Sequence, residues 1–128
     1  MKKLLLLGSM ILLSFAAKGQ TYFSDNFDDL NISDWTLYDQ DGDGKNWETV
    51  QLTGLSPAIA SYSYDNATMA PLTPNNYIVS PAINLSAATS AILTFKVKGQ
   101  DAAFNAEKYS VYISTTNSVS AILATTPV

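Results

Sequence analysis

Apolar and polar side chains alternate along two stretches of the chain, residues 93–97 and 109–113. A period of two places every second side chain on the same face of an extended strand, so each stretch is predicted to be a half-buried β-strand. Five shorter β-rich runs are further strand candidates: residues 22–27, 35–38, 46–50, 60–64 and 77–80. Prolines punctuate the segments between them, and no part of residues 21–116 keeps a helical period.

Several short strands separated by turn residues are typical of a β-sandwich or a jelly roll. We therefore predict an all-β fold for residues 20–128. A mildly apolar segment at residues 119–124 is followed by Val128, without a closing strand. Because strands of a sandwich need partners, we expect a domain truncated at its C-terminus, the N-terminal portion of something longer.

The first residues have the layout of a secretory signal peptide. Lys2 and Lys3 precede an apolar run of 14 residues, and Ala17 and Gly19 supply the small residues of a cleavage site. A membrane-spanning helix needs about 20 apolar residues, so the run is short for an anchor. We predict a signal peptide at residues 1–19, and a product that is secreted or on the cell surface without membrane insertion.

The net charge limits the classes of partner that the mature chain can bind. The chain has seven cationic residues, all lysines, against eleven acidic ones, and cleavage would remove three of the lysines. The mature chain would therefore carry four lysines against eleven acids, a net charge of about −7. Nucleic acid is excluded as a partner because no basic footprint for phosphate remains. The same deficit disfavours anionic membranes, and the oligomeric state is left open.

The chain contains no Cys and no His. Disulfides cannot stabilise it, so a bound metal is the obvious brace for an exported domain of this size. Zinc, copper and iron sites draw on Cys and His, so the cofactor should be a hard, oxygen-bound cation such as calcium. The usual nucleophile–base pairs are excluded too, and we predict that the chain is not an enzyme. Glycoside cleavage by paired carboxylates is the remaining catalytic alternative.

Three carboxylates follow one another at alternate positions in a glycine-rich loop. Asp39, Asp41 and Asp43 are interleaved with Gly42 and Gly44, which permit the positive φ angles of a tight bend. Gathering like charges is unfavourable unless a cation neutralises them, and calcium accepts six to eight oxygens in irregular geometry. The loop therefore predicts a calcium site, and a solvated acidic turn is the alternative.

The start of this loop matches the EF-hand pattern, but the rest does not. An EF-hand carries a bidentate Glu at loop position twelve, which is Val50 here, and the flanking runs look like strands rather than helices. Other oxygens could complete the calcium shell. Asn26 and Asp28 lie near the first predicted strand, and Asp101 and Glu107 flank the loop between the alternating stretches.

Taken in order, several segments form a recognisable series: DNFD at 25–28, Trp35, YDQDGDGKNW at 38–47, PNNYIVSP at 74–81, LTF at 93–95, QD at 100–101 and EKYSVY at 107–112. Over residues 22–114 the chain resembles the cleaved-adhesin domain of bacterial surface proteins, also called the choice-of-anchor J type. This module occurs in the haemagglutinin/adhesin regions of gingipain proteases.

The resemblance implies a jelly-roll type β-sandwich, related to MAM and carbohydrate-binding modules, with structural calcium and an extracellular role in adhesion. It also implies a ligand set of acidic loop residues, two upstream residues, one backbone carbonyl and a second acidic pair. In this chain these are Asp39, Asp41 and Asp43; Asn26 and Asp28; the carbonyl of Lys45; and Asp101 with Glu107.

The predicted function is a secreted, calcium-stabilised adhesin or binding domain that binds a host protein or a glycan. Tyr62, Tyr64 and Tyr112 are candidates for an aromatic binding platform, with ordinary strand packing as the alternative. A different class of function is also open: a non-catalytic accessory domain of a larger secreted hydrolase or protease.

Overall fold

The computed structural model describes residues 19–128, so the predicted signal peptide lies outside the described residues except for Gly19. Six short strands and one short helix make up the regular structure. They are β1 (Thr36–Asp39), β2 (Glu48–Val50), β3 (Ala58–Ala60), β4 (Tyr64–Asp65), β5 (Ala70–Pro71), β6 (Asn76–Val79) and α1 (Val119–Leu123). The all-β prediction is confirmed. No helix in residues 19–128 is both long and apolar enough to cross a membrane.

The strands pair as three antiparallel ribbons of two strands each, β1 with β6, β2 with β3 and β4 with β5. In the first ribbon Thr36 lies opposite Val79 and Asp39 lies opposite Asn76. This pairing brings together residues some 40 positions apart. The chain between them forms two local hairpins, β2–β3 and β4–β5. The jelly-roll arrangement of the strands stays a prediction.

Three of the predicted strands are confirmed to within two residues: 35–38 as β1, 46–50 as β2 and 77–80 as β6. The run 60–64 is divided, with its first residue ending β3 and its last beginning β4. Agreement is best where the strands are half-buried along their length, as β1 and β6 are. There the β-rich composition coincides with a hydrogen-bonded neighbour.

The strand predicted at residues 22–27 is wrong. The backbone N–H of Phe27 donates to Asp25 Oδ1 at 2.8 Å, and Phe27 has a φ of 58°, which no strand accommodates. The segment is held by its aromatic side chains instead. Trp35 lies 5.7 Å, between ring centroids, from both Phe23 and Phe27, and its Nε1 donates to Asp25 Oδ2 at 2.8 Å.

The strands predicted at residues 93–97 and 109–113 are also wrong, because neither segment joins a ladder. The rings of Phe95 and Tyr109 meet edge to face at 6.3 Å, but the apolar side chains stay open to solvent: Leu93 is 59% exposed and Ile113 66%. Alternation provides a face to bury, whereas a strand needs a hydrogen-bonding neighbour. Within residues 19–128 neither segment has a ladder partner, and a single backbone hydrogen bond, from the N–H of Val128 to the carbonyl of Val111 at 2.9 Å, reaches the second of them.

The most complete burial is found near the described C-terminal end. Ile122 of α1 is 5% exposed and is the one apolar side chain in residues 19–128 that is buried. The helix is linked to the main ribbon through the segment before it, because the hydroxyl of Tyr38 donates to the carbonyl of Asn117 at 2.5 Å. The ribbon β1–β6 thus contacts the segment before α1 and carries the acidic loop at the end of β1.

Candidate metal centre

The acidic loop begins at Asp39, the last residue of β1. Asp39 organises the loop through both of its carboxylate oxygens: Oδ1 accepts the N–H of Gly42 at 2.7 Å, and Oδ2 accepts that of Gly44 at 2.9 Å. Gly42 and Gly44 have φ angles of 71° and 76°, in the left-handed region that glycine adopts without penalty. The two predicted glycine bends therefore exist and wrap the backbone around Asp39.

The loop is also fixed to the start of β6. Asp41 Oδ2 accepts the N–H of Asn75 at 2.7 Å, and the N–H of Gln40 donates to the carbonyl of Asn75 at 3.1 Å. Trp47 Nε1 donates to the carbonyl of Asn76 at 3.2 Å just after the loop. The sequence reasoning gave Asn75 and Asn76 no role. These contacts use the backbone atoms of Asn75 and Asn76, which any residue type would supply. The only sequence feature that pointed to the two residues was their place in the PNNYIVSP run.

Asp39, Asp41 and Asp43 converge at the loop surface. Each offers an oxygen that lies within 4.8 Å of the oxygens offered by the other two. At this separation a pair of unit charges in water repels by about 0.9 kcal/mol or more. Among the described residues no lysine relieves this repulsion, because the ammonium of Lys45 pairs with Asp65 at 3.5 Å. Three unneutralised carboxylates at this spacing are chemically suited to a hard divalent cation.

The upstream candidates Asn26 and Asp28 lie together but outside this group. Asn26 Nδ2 donates to Asp28 Oδ2 at 2.7 Å, and the N–H of Asp28 donates back to Asn26 Oδ1 at 3.2 Å. The carboxylate of Asp28 is not among those that converge with Asp39. The two residues thus form an exposed turn whose oxygens are already partly engaged with each other.

The second acidic pair is not assembled either. Asp101 Oδ1 accepts the N–H of Ala103 at 2.8 Å, and Glu107 accepts the hydroxyl of Ser63 in a short hydrogen bond. Neither carboxylate joins another acidic group of three among residues 19–128. Glu107 instead links its segment to the residue just before β4.

Lys45 connects the acidic loop with a neighbouring pocket. Its backbone N–H donates to Asp43 Oδ1 at 2.7 Å, while its ammonium reaches Asp65 Oδ2 at 3.5 Å. Around this ion pair lies an open pocket of about 180 Å³, lined by Lys45, Tyr62, Tyr64, Asp65, Asn66 and Leu72. Two of the three candidate platform tyrosines are therefore brought together here, and Tyr112 is not among the lining residues.

Two groups in or beside the pocket have shifted acidities. Hydrogen bonds from the backbone N–H of Ala67 and the side chain of Thr68, together with the charge of Lys45, lower the pKa of Asp65. Partial burial raises the pKa of Tyr62. A hydrogen bond to Glu48 and the negative charge of that residue act in the same direction. At neutral pH the pocket thus presents an ionised Asp65 and a neutral Tyr62.

Comparison with known proteins identifies a family that the chain matches. Residues 20–124 match the family described as Cleaved Adhesin Domain. The chain is 37% identical over 106 residues to Hemagglutinin A of Porphyromonas gingivalis, an alignment that covers 77% of this chain and 5% of that protein. It is 36% identical over 107 residues to both Gingipain R1 and Lys-gingipain of the same species, covering 77% of this chain and 6% of each relative.

These relatives are far longer than the chain, which spans about one-twentieth of their length. The similarity therefore concerns one domain of each relative and not the whole protein. No solved structure matches the chain.

Proposed function

Because the chain belongs to the Cleaved Adhesin Domain family, we propose that it is a calcium-stabilised adhesin domain that binds an extracellular protein or carbohydrate. The family places it outside the cell, secreted or on the cell surface. An adhesin must stay folded outside the cell, where cytoplasmic chaperones are absent. With no Cys in the chain, a metal is the cross-link that its residues can supply.

The observation that carries the proposal is the convergence of Asp39, Asp41 and Asp43 within 4.8 Å of one another. Their donor set fits calcium, because it is all oxygen, is exposed at Asp41 and Asp43, and is not paired with the ammonium of the neighbouring Lys45. When bound, a divalent ion would offset two of the three negative charges and tie the end of β1 to its own loop. The loop is in turn fixed to β6 through Asn75, so the ion would brace the main ribbon.

Further oxygens would complete the coordination shell. The family resemblance assigns this part to the carbonyl of Lys45 and to Asn26 and Asp28. Asp101 and Glu107 are proposed as a second acidic pair on the same ground. Support for these four side chains is weaker than for the loop, since Asn26 and Asp28 contact each other and Glu107 contacts Ser63.

Calcium binding is tested by titration calorimetry of the purified chain with calcium, using magnesium as the comparison ion. We expect uptake of calcium and much weaker binding of magnesium, which demands near-octahedral geometry and gives up its waters reluctantly. The variant Asp39→Asn should weaken the binding, because it removes a charge from the group. The calcium part of the proposal would be contradicted if calcium addition released or absorbed no heat of binding and the chain did not compete with a chelator for calcium.

Adhesion is tested separately, by binding of the chain to immobilised matrix proteins and to a glycan array, each in calcium and in EDTA. We expect saturable binding that is stronger in calcium. Heat-unfolded protein at the same concentration is the control for non-specific adsorption. Binding no stronger than this control in either buffer would contradict the adhesin assignment while leaving the calcium result untouched.

The second candidate function is a non-catalytic accessory domain of a larger secreted hydrolase or protease. It is favoured by the small share of the relatives that the chain covers, about one-twentieth, and by the names Gingipain R1 and Lys-gingipain among them. On this proposal the domain needs no ligand of its own and supplies no catalytic group. The adhesion experiment separates the two candidates, since an accessory domain would take up calcium and bind nothing on either surface.

A further inference from the structure

The pocket beside the acidic loop has a composition that the calcium brace does not require. It is a small open cavity of about 180 Å³ between the loop and the β4–β5 hairpin. Ligand sites for drug-sized molecules usually enclose about 300–1,000 Å³, so this pocket has room for a single small ring. One of its sides is aromatic and the other is polar.

The aromatic side is formed by two tyrosines spaced by one residue. Tyr62 and Tyr64 lie on either side of a bend at Ser63, and both line the pocket. Ser63 between them points away and donates to Glu107. Tyr64 is 42% exposed, and neither tyrosine ring stacks on another aromatic ring among the described residues. The ring of Tyr64 is therefore open to a ligand, while that of Tyr62 is half-buried.

The polar side offers a donor, an acceptor and an amide. Lys45 and Asp65 form an ion pair with 3.5 Å between Nζ and Oδ2, and Asn66 follows on the hairpin. Asp65 is held in place from its other oxygen, since Oδ1 accepts the N–H of Ala67 at 2.9 Å. A paired ammonium and carboxylate can donate to one hydroxyl and accept from the next, and charge-assisted hydrogen bonds are the strong ones.

We propose that this pocket is a carbohydrate-binding subsite for one neutral sugar residue. A pyranose ring has a C–H face that packs on an aromatic ring, and adjacent hydroxyls at its edge that match the Lys45–Asp65 pair. The pair is neutral overall, and the three carboxylates of the neighbouring loop make the surroundings acidic, so a uronate is disfavoured. The inference deepens the proposed adhesin function and rests on it, choosing carbohydrate over protein as the ligand class.

The test is saturation-transfer NMR and titration of the purified chain in calcium buffer. The probes are the methyl glycosides of glucose, galactose, mannose and N-acetylglucosamine, with glucuronate as the charged comparison. Tyr64→Ala removes the aromatic face, Tyr64→Phe keeps the ring, and Asp65→Asn removes the carboxylate charge. Tyr109→Ala and Asp34→Asn are matched controls, because both residues are exposed and neither lines the pocket. Thermal unfolding verifies that each variant is folded.

We expect at least one neutral glycoside to bind and glucuronate to bind more weakly. Tyr64→Ala should lower the affinity about tenfold and Asp65→Asn several-fold, while Tyr64→Phe and the two controls stay within about twofold of the wild type. Sugar binding that survives both Tyr64→Ala and Asp65→Asn would overturn the subsite, as would a preference for glucuronate, and either result would leave the adhesin function standing. Calcium-dependent binding to matrix protein without any response to the sugars would do the same. A chain that binds neither sugar nor protein would overturn both proposals.

Discussion

Asp41→Asn should affect stability in opposite directions with and without calcium. The substitution keeps the shape of the side chain and one oxygen that can accept the N–H of Asn75, which donates to Oδ2 at 2.7 Å in the wild type. The contact given up, from the N–H of Asp43 to Oδ1, is long at 3.4 Å. It removes a charge that takes part in two of the three pairs within the acidic group. At separations of up to 4.8 Å these two pairs repel by about 2 kcal/mol in water, or about 1 kcal/mol after screening at physiological salt. In EDTA the variant should therefore be more stable than the wild type.

We expect calcium to reverse this order. A ligand present at a hundred times its dissociation constant stabilises the folded state by about 2.7 kcal/mol. For a domain of this size 1 kcal/mol corresponds to about 4 °C in the unfolding midpoint, so the wild type should melt about 10 °C higher in saturating calcium. The variant has two carboxylates left to hold the ion, and we expect its midpoint to rise by less than half as much. We therefore expect the substitution to stabilise the chain in EDTA and to destabilise it in calcium.

The assay is thermal unfolding followed by tryptophan fluorescence, in EDTA and at several calcium concentrations. Asp34→Asn serves as the control, because Asp34 is an exposed aspartate outside the acidic group, and the same charge change there should leave the calcium increment intact. Equal midpoints for the wild type in calcium and EDTA would refute the reasoning. So would an Asp41→Asn variant that is destabilised by the same amount in both buffers, since that would make Asp41 a structural hydrogen-bond acceptor and nothing more.

Three further predictions concern the local contacts. Gly44→Ala should lower the free energy of unfolding by about 1 kcal/mol in urea titrations, because φ is 76° at this position. An added Cβ meets no atom within 4 Å, so the loss comes from the backbone angle alone. Gly44→Asn should lower the free energy of unfolding by less, because Asn adopts the left-handed region more readily than Ala. Trp35→Phe should cost about 1–2 kcal/mol in the same assay, because it keeps the aromatic contacts but removes the 2.8 Å hydrogen bond to Asp25; an unchanged midpoint would contradict this role. The raised pKa of Tyr62 should appear in ultraviolet titration as ionisation above the ordinary value of 10.0. Neutral Tyr62 then adds stability that is complete below pH 10.0 and is lost as the pH rises through the folded-state pKa, and Glu48→Gln should move this titration to lower pH.

The acidic loop could be predicted from the sequence because its geometry is local. Carboxylates at alternate positions and glycines at the two bends determine the conformation within six residues, and both glycines have the positive φ expected of them. The attachment of the loop to Asn75 could not be predicted in the same way. That contact joins residues 34 positions apart and uses a backbone N–H, which every residue except proline possesses. Composition carries no signal for such a partner.

The strands show the same division between local and distant causes. β-rich composition predicted the position of β1 and β6, where a neighbour is present, but the clearest alternation lies at residues 93–97 and 109–113, where no ladder forms. Alternation describes what a side-chain face could bury, and the ladder depends on a second segment that the pattern does not identify. At residues 22–27 the competing cause was local but unrecognised, because Asp25 accepts the N–H of Phe27 and turns the chain.

Lys45 explains why the acidic loop and the pocket have opposite electrostatic character although they share a boundary. It is the cation nearest in sequence to the three carboxylates, and a lysine there could have neutralised them. Its backbone is instead held by Asp43, and its ammonium is directed to Asp65. The pocket thereby gains an ion pair that is neutral overall, while the loop carboxylates form no ion pair with a lysine among residues 19–128. Lys45→Met keeps the backbone carbonyl that we propose as a calcium ligand and removes the ammonium, so it should spare the expected calcium-induced rise in melting temperature and impair sugar binding at the pocket.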